Sequence, residues 1–119
     1  MKLLIVDDVS LEREITKMAL EDTAREIMMA SDGKEALEVM KSYKPDIVLM
    51  DLFMPKMNGD ECCRRMRVDP DLHDIPVLII SATDDHESKR RCLISGCDDI
   101  IKKPFSKDDL MKKIERHIK

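Results

Sequence analysis

The chain has 119 residues, the size of one domain, which leaves no room for a catalytic domain beside a regulatory one. Its 25 acidic against 21 basic residues give a net charge of −4, and aromatics are only 3% with no Trp. That balance argues against non-specific binding to nucleic acid or anionic lipid, and against a base-stacking surface.

Taken in order, the first apolar run is 3–6, and it ends abruptly at Asp7 and Asp8. These aspartates come too early for a secretory signal, and no later stretch approaches the ~18 apolar residues of a membrane span. An amphipathic stretch, 10–23, follows, with Leu11, Ile15, Met18 and Ala19 on one helical face. A second run, 27–30, leads to a helical stretch at 32–43 with Ala36, Leu37 and Met40 on its stripe. The third run, 47–50, ends at Asp51, and a helix over 58–68 carries Cys62, Cys63 and Met66. The fourth run, 77–80, ends at Ser81, Ala82 and Thr83. The stretch 84–95 is the poorest helix, anchored only by Cys92, Leu93 and Ile94, with Gly96 suited to its C-terminal cap. A short run at Ile100 and Ile101 precedes Lys102, Lys103 and Pro104, and a last helix over 106–118 carries Leu110, Ile114 and Ile118. Asp32 with Glu35, and Asn58 with Glu61, have the spacing of capping boxes, and Ser106 precedes an acidic first turn.

Continuous apolar runs of this length suit strands buried on both faces. Five strands alternating with five helices predict an α/β domain with one parallel sheet covered on both sides. Such sheets bind ligands beyond the carboxyl ends of their strands. The four cysteines, Cys62, Cys63, Cys92 and Cys97, follow neither a disulfide nor a zinc pattern, which predicts reduced thiols in a cytoplasmic protein. His73, His86 and His117 lie away from the strand ends and read as surface residues, and Lys89, Arg90 and Arg91 read as a solvated face.

The strand ends carry the chemistry. A single aspartate after a strand is usually a turn residue. Asp7, Asp8, Asp51, Ser81 and Lys103 together place three carboxylates, a hydroxyl and an ammonium group on one rim. Two carboxylates ~4 Å apart repel by about 1 kcal/mol in water and ~4 kcal/mol at an effective dielectric near 20. A hard divalent cation, Mg²⁺ or Mn²⁺, relieves that repulsion and offers a coordination position to a phosphoryl oxygen. A carboxylate set between cations can act as a nucleophile and form an aspartyl phosphate.

In these motifs the chain resembles the response regulator receiver domains of two-component signalling, over residues 2–118. The acidic pair lies in LLIVDD, the acceptor in IVLMDLFMPKMNG, the serine in VLIISAT and the lysine in GCDDIIKKPF. The resemblance implies one receiver over 1–119 with a five-stranded parallel sheet of order 2-1-3-4-5, flanked by five helices. It implies Asp51 as phosphoacceptor. Asp8, Asp51 and the Phe53 main-chain carbonyl would be Mg²⁺ ligands, with Asp7 acting through a metal-bound water. Lys103 would bind the phosphoryl group, Ser81 would turn toward it, and the Lys103–Pro104 bond would be cis. A histidine kinase or phosphotransfer protein would be the donor. A downstream protein would meet the fourth-helix, fifth-strand and fifth-helix face. The protein would be a monomer or a phosphorylation-dependent homodimer, with no direct nucleic-acid or membrane contact.

Three positions depart from or vary within the family pattern. Ile100 stands where receivers often carry a switching aromatic, so a Tyr or Phe flip is excluded. Phe53, two after the acceptor, cannot orient water by hydrogen bonding, and Thr83 is the other variable neighbour of the site; the resemblance implies that these two positions tune the phosphate lifetime. Four readings compete. A phosphorylated switch, not an enzyme in the usual sense, leads. A haloacid-dehalogenase-type phosphatase would need a second aspartate where Phe53 stands. A flavin module would meet a repelling acidic rim. A degenerate receiver acting as a phosphorylation-independent interaction module would have no use for a complete acidic site. The chain stops just after its fifth helix with no output domain, which fits both a stand-alone regulator and a receiver taken from a longer protein.

Overall fold

Strands β1 (Lys2–Val6), β2 (Glu26–Ala30), β3 (Ile47–Asp51), β4 (Val77–Ser81) and β5 (Asp99–Lys102) form one parallel sheet in the order β2-β1-β3-β4-β5. The computed structural model describes residues 1–23 and 26–118. Helices α1 (Ser10–Leu20), α2 (Gly33–Tyr43), α3 (Gly59–Val68), α4 (His86–Ser95) and α5 (Lys107–His117) connect and follow the strands. The predicted class, strand order and alternation are those observed.

Side chains alternate across each strand, so the apolar runs feed two separate cores. Leu4, Val6, Val48, Met50, Val77 and Ile79 face α2, α3 and α4, where they meet Ala36, Met40, Cys62, Cys63, Met66 and Cys92. Leu3, Ile5, Ile47, Leu49, Leu78 and Ile80 face the other way, onto Leu20, Leu110 and Ile114. Central strands β3 and β4 are buried along their whole length. Strand β2 is not: it is an edge strand, and Met28 is exposed, which corrects the reading of that run as buried on both faces.

Two helices also differ from expectation. On α1 the apolar row is turned outward, with Leu11 68%, Ile15 57% and Met18 68% exposed. The opposite side is pinned by polar contacts at the carboxyl rim: the Arg13 guanidinium donates to the Asp7 carbonyl at 2.7 Å, and Glu12 lies 3.3 Å from Lys103. Only Leu20 reaches full burial in that helix. On α4, Cys92 is buried but Leu93 and Ile94 are exposed, so the helix has one apolar anchor instead of three.

The caps follow the sequence in part. Asp32 accepts from the Glu35 amide, Ser106 accepts from the Asp109 amide, and Gly96 closes α4 in the left-handed region. Asn58 does not cap α3: its Oδ1 accepts from the Met54 amide and folds the preceding loop instead.

Candidate functional site

The strand register brings the chemistry to one level. Val6 pairs with Ala30 and Met50, Asp51 with Ile80, and Ser81 with Lys102, so the residues just beyond β1, β3, β4 and β5 share a rim. Carboxylate oxygens of Asp7, Asp8 and Asp51 all lie within 4.8 Å of one another. Asp7 and Asp51 are buried and Asp8 is exposed. A 280 Å³ pocket opens over them, lined by Asp8, Glu12, Asp51, Phe53, Ser81 and Lys103 among others.

Each group is held. The Val9 amide donates to Asp7 Oδ1 at 2.9 Å. The Lys103 ammonium lies 3.3 Å from Asp51 Oδ1, 3.7 Å from Asp7 and 3.3 Å from Glu12. Glu12 was not foreseen from the sequence as part of this set; it stands one helical turn after Asp8. The Lys103–Pro104 bond is cis, as expected. Behind Asp51, Gly59 lets the start of α3 approach β3: its amide donates to the Leu52 carbonyl at 2.7 Å, and a Cβ there would lie 2.1 Å from the Asp51 carbonyl oxygen.

Asp51 Oδ1 is buried and receives no hydrogen bond, while the Lys103 ammonium donates to Oδ2 of the same carboxylate at 3.5 Å. Burial and then the Asp7 charge push the Asp51 carboxyl up to about 7, against the pull of Lys103. Burial draws the Lys103 ammonium down, but Asp51, Asp7 and Glu12 outweigh it and leave it above its ordinary value. Three oxygen-bearing acids around an oxygen without a donor suit a hard cation. The donor set fits Mg²⁺ or Mn²⁺.

Ser81 is engaged with Thr83. Its hydroxyl donates to the Thr83 carbonyl at 2.7 Å and accepts from the Thr83 amide at 3.2 Å. Ser81, Thr83 and Ile100 line a second cavity of 410 Å³ between α4 and β5, together with Cys92 and Leu93. Pro104 lines a third pocket with Glu12, Lys103, Phe105 and the α1 residues Ile15 and Ala19.

A family model described as "Response regulator receiver domain" matches residues 3–115. The chain belongs to that family. Among curated relatives, the receiver is 34% identical over 113 residues to response regulator MprA of Mycolicibacterium vanbaalenii, covering 95% of this chain and 48% of that protein. It thus spans about half the length of the curated relatives it matches. Chemotaxis protein CheY4 of Vibrio cholerae superposes with a TM-score of 0.91 at 29% identity, over 98% of both chains. The receiver domain of sensor histidine kinase PA1611 from Pseudomonas aeruginosa PAO1 has the same fold, with a TM-score of 0.91 at 22% identity over 98% of this chain and 95% of that one.

Two sequence readings on the receiver's surface are corrected. Arg91 is not a solvated charge: it donates to Asp60 through two nitrogens, each at 3.1 Å, and its guanidinium carbon stands 5.1 Å from the Phe53 ring centroid. His117 is half-buried, 3.0 Å from the Asp99 carboxylate. No local pattern could have revealed either contact, since each partner lies on a different element.

Proposed function

We propose that residues 1–119 form one phosphoacceptor receiver, a switch rather than a turnover enzyme, which takes a phosphoryl group from the phosphohistidine of a histidine kinase or phosphotransfer protein onto Asp51. The observation that carries this reading is Asp51 Oδ1, buried without a donor and 3.3 Å from the Lys103 ammonium, with Asp7 and Asp8 beside it. In the transfer, an Asp51 oxygen forms a bond to phosphorus as the phosphorus–nitrogen bond breaks, and the imidazole leaves. Lys103 would bind the incoming phosphoryl oxygens. Ser81 would give up its Thr83 partner and turn its hydroxyl to that group.

Asp8, Asp51 and the Phe53 carbonyl would hold Mg²⁺ directly, and Asp7 through water; the PA1611 receiver is described with magnesium in its own active-site cleft. When bound, the cation neutralises carboxylate charge and accepts a phosphoryl oxygen. The switched surface is the α4–β5–α5 face, where the helix with one apolar anchor adjoins the Ser81 and Ile100 cavity. A downstream protein or a second copy of the chain would dock there, in the cytoplasm, without direct nucleic-acid contact by this domain.

Incubation with acetyl phosphate and Mg²⁺, followed by intact mass, tests the reading. One added phosphoryl group, lost in Asp51→Asn, is expected. No addition, or addition that survives the substitution, would overturn it. A phosphorylation-independent interaction module has no observation of its own in its favour, because the acidic set is complete.

A further inference from the structure

Arg91 links α4 to the mouth of the acceptor pocket. Its Nε and one terminal nitrogen grip both oxygens of Asp60 on α3, each at 3.1 Å. Asp60 is buried and takes a further contact from Arg64 at 3.4 Å. A guanidinium held at two points is fixed in plane and direction. It stands over the Phe53 ring at 5.1 Å from the centroid, within the range of a cation–π contact. Phe53 is two residues after Asp51, is 51% exposed and forms part of the pocket wall with Asp51 and Lys103. Without the guanidinium, a half-exposed ring on a loop has several staggered rotamers open to it.

We propose that Arg91 is a positioning residue which, anchored on Asp60, holds the Phe53 ring at the pocket wall, restricts water's approach to the phosphoryl group and ties that group's lifetime to the position of α4. The inference rests on the reading of Asp51 as phosphoacceptor. The step restricted is hydrolysis: a water oxygen bonds to phosphorus, the bond from phosphorus to the Asp51 oxygen breaks, and the carboxylate and inorganic phosphate are released with the water's proton. The tie is reciprocal by linkage. A partner that draws α4 outward carries Arg91 off the ring and shortens the signal, and a ring held in place favours α4 where it lies.

The test loads wild type, Arg91→Ala, Phe53→Ala and the double variant with acetyl phosphate and Mg²⁺. The donor is then removed, and loss of the added phosphoryl mass is followed over time. Arg91→Ala is expected to shorten the lifetime about two- to fivefold, the effect of a solvent-facing cation–π contact. Phe53→Ala shortens it at least as much, and the double variant decays no faster than Phe53→Ala alone. Arg91→Lys, which keeps a cation but loses the fork, falls between. An unchanged lifetime in Arg91→Ala, or separate multiplying effects of the two substitutions, overturns the inference. A merely structural role for Arg91 would lower the melting temperature without that dependence on Phe53. Should Arg91→Ala fail to fold, Asp60→Asn removes the anchor's charge and its lifetime decides instead. A wild type that takes up no phosphoryl group overturns the proposed function and the inference together; a wild type that loads normally isolates the inference.

Discussion

Asp51 carries an energetic sign as well as the chemical role proposed for it. Its carboxyl is pushed up to about 7 in the fold by burial and by Asp7, against an ordinary value near ~3.9 in an unfolded chain. Between those values the folded state keeps a proton that the unfolded state releases. The stability tied to that proton is full below about pH 4 and is lost as pH rises through about 7. A divalent cation bound at these carboxylates would take the proton's place. Mg²⁺ should therefore raise the melting temperature more near pH 8 than near pH 5.5. Thermal unfolding in Mg²⁺ and in EDTA at both values checks this, and equal shifts would contradict it. Asp51→Asn, which removes the charge and keeps the shape, should stabilise the metal-free protein by about 1–3 kcal/mol near pH 8, readable from urea unfolding. Asp51 and Lys103 could be placed at the rim from the sequence because Asp51 stands directly after an apolar run and Lys103 one residue beyond another, which is a local pattern. The partners Glu12 of Lys103 and Asp60 of Arg91 were not, since they are 91 and 31 residues away and only the folded arrangement pairs them.

At the scale of the element, periodicity identifies a helix but does not say which way it turns. The stripe on α2, with Ala36 and Met40, and that on α5, with Leu110 and Ile114, do face the sheet. The row on α1 does not, because Glu12 and Arg13 are held by charged and carbonyl groups of the site and rotate Leu11, Ile15 and Met18 outward. Ile15→Gln should accordingly change stability by no more than about 0.5 kcal/mol, where a core isoleucine would cost several; urea unfolding separates these outcomes. Helix α3 is the opposite case, an element whose placement depends on one atom. A methyl group at Gly59 would stand 2.1 Å from the Asp51 carbonyl oxygen, so backbone must move. Gly59→Ala is expected to cost about 3 kcal/mol or more and to displace the loop that carries Phe53. Unchanged unfolding in that variant would show that α3 can retreat from β3 freely.

Across the whole molecule, the two ends of the sheet divide the work. The carboxyl rim concentrates repelling charge, and the amino end is where the chain is fastened. Arg67, near the end of α3, donates to the carbonyls of Gly96 at 2.9 Å, His73 at 3.2 Å and Ile75 at 2.9 Å. It also donates to Asp98 at 2.8 Å, and that same carboxylate oxygen accepts from the Val77 amide at the start of β4. One side chain thereby joins α3 to the segments entering both β4 and β5. Arg67→Ala removes four contacts, three of them solvent-exposed and one part-buried, and should cost about 1–2 kcal/mol. Strands of five residues put this clip on the order of 15 Å from the site. At that separation effects should add within about 0.5 kcal/mol. Arg67→Ala is thus expected to lower the urea midpoint while retaining phosphoryl uptake on Asp51. The Arg67→Ala, Asp51→Asn double variant should recover the stability gained at the rim while losing that uptake. Uptake abolished in a folded Arg67→Ala protein, or strong non-additivity in the double variant, would mean that the two ends are mechanically coupled through β4 and β5.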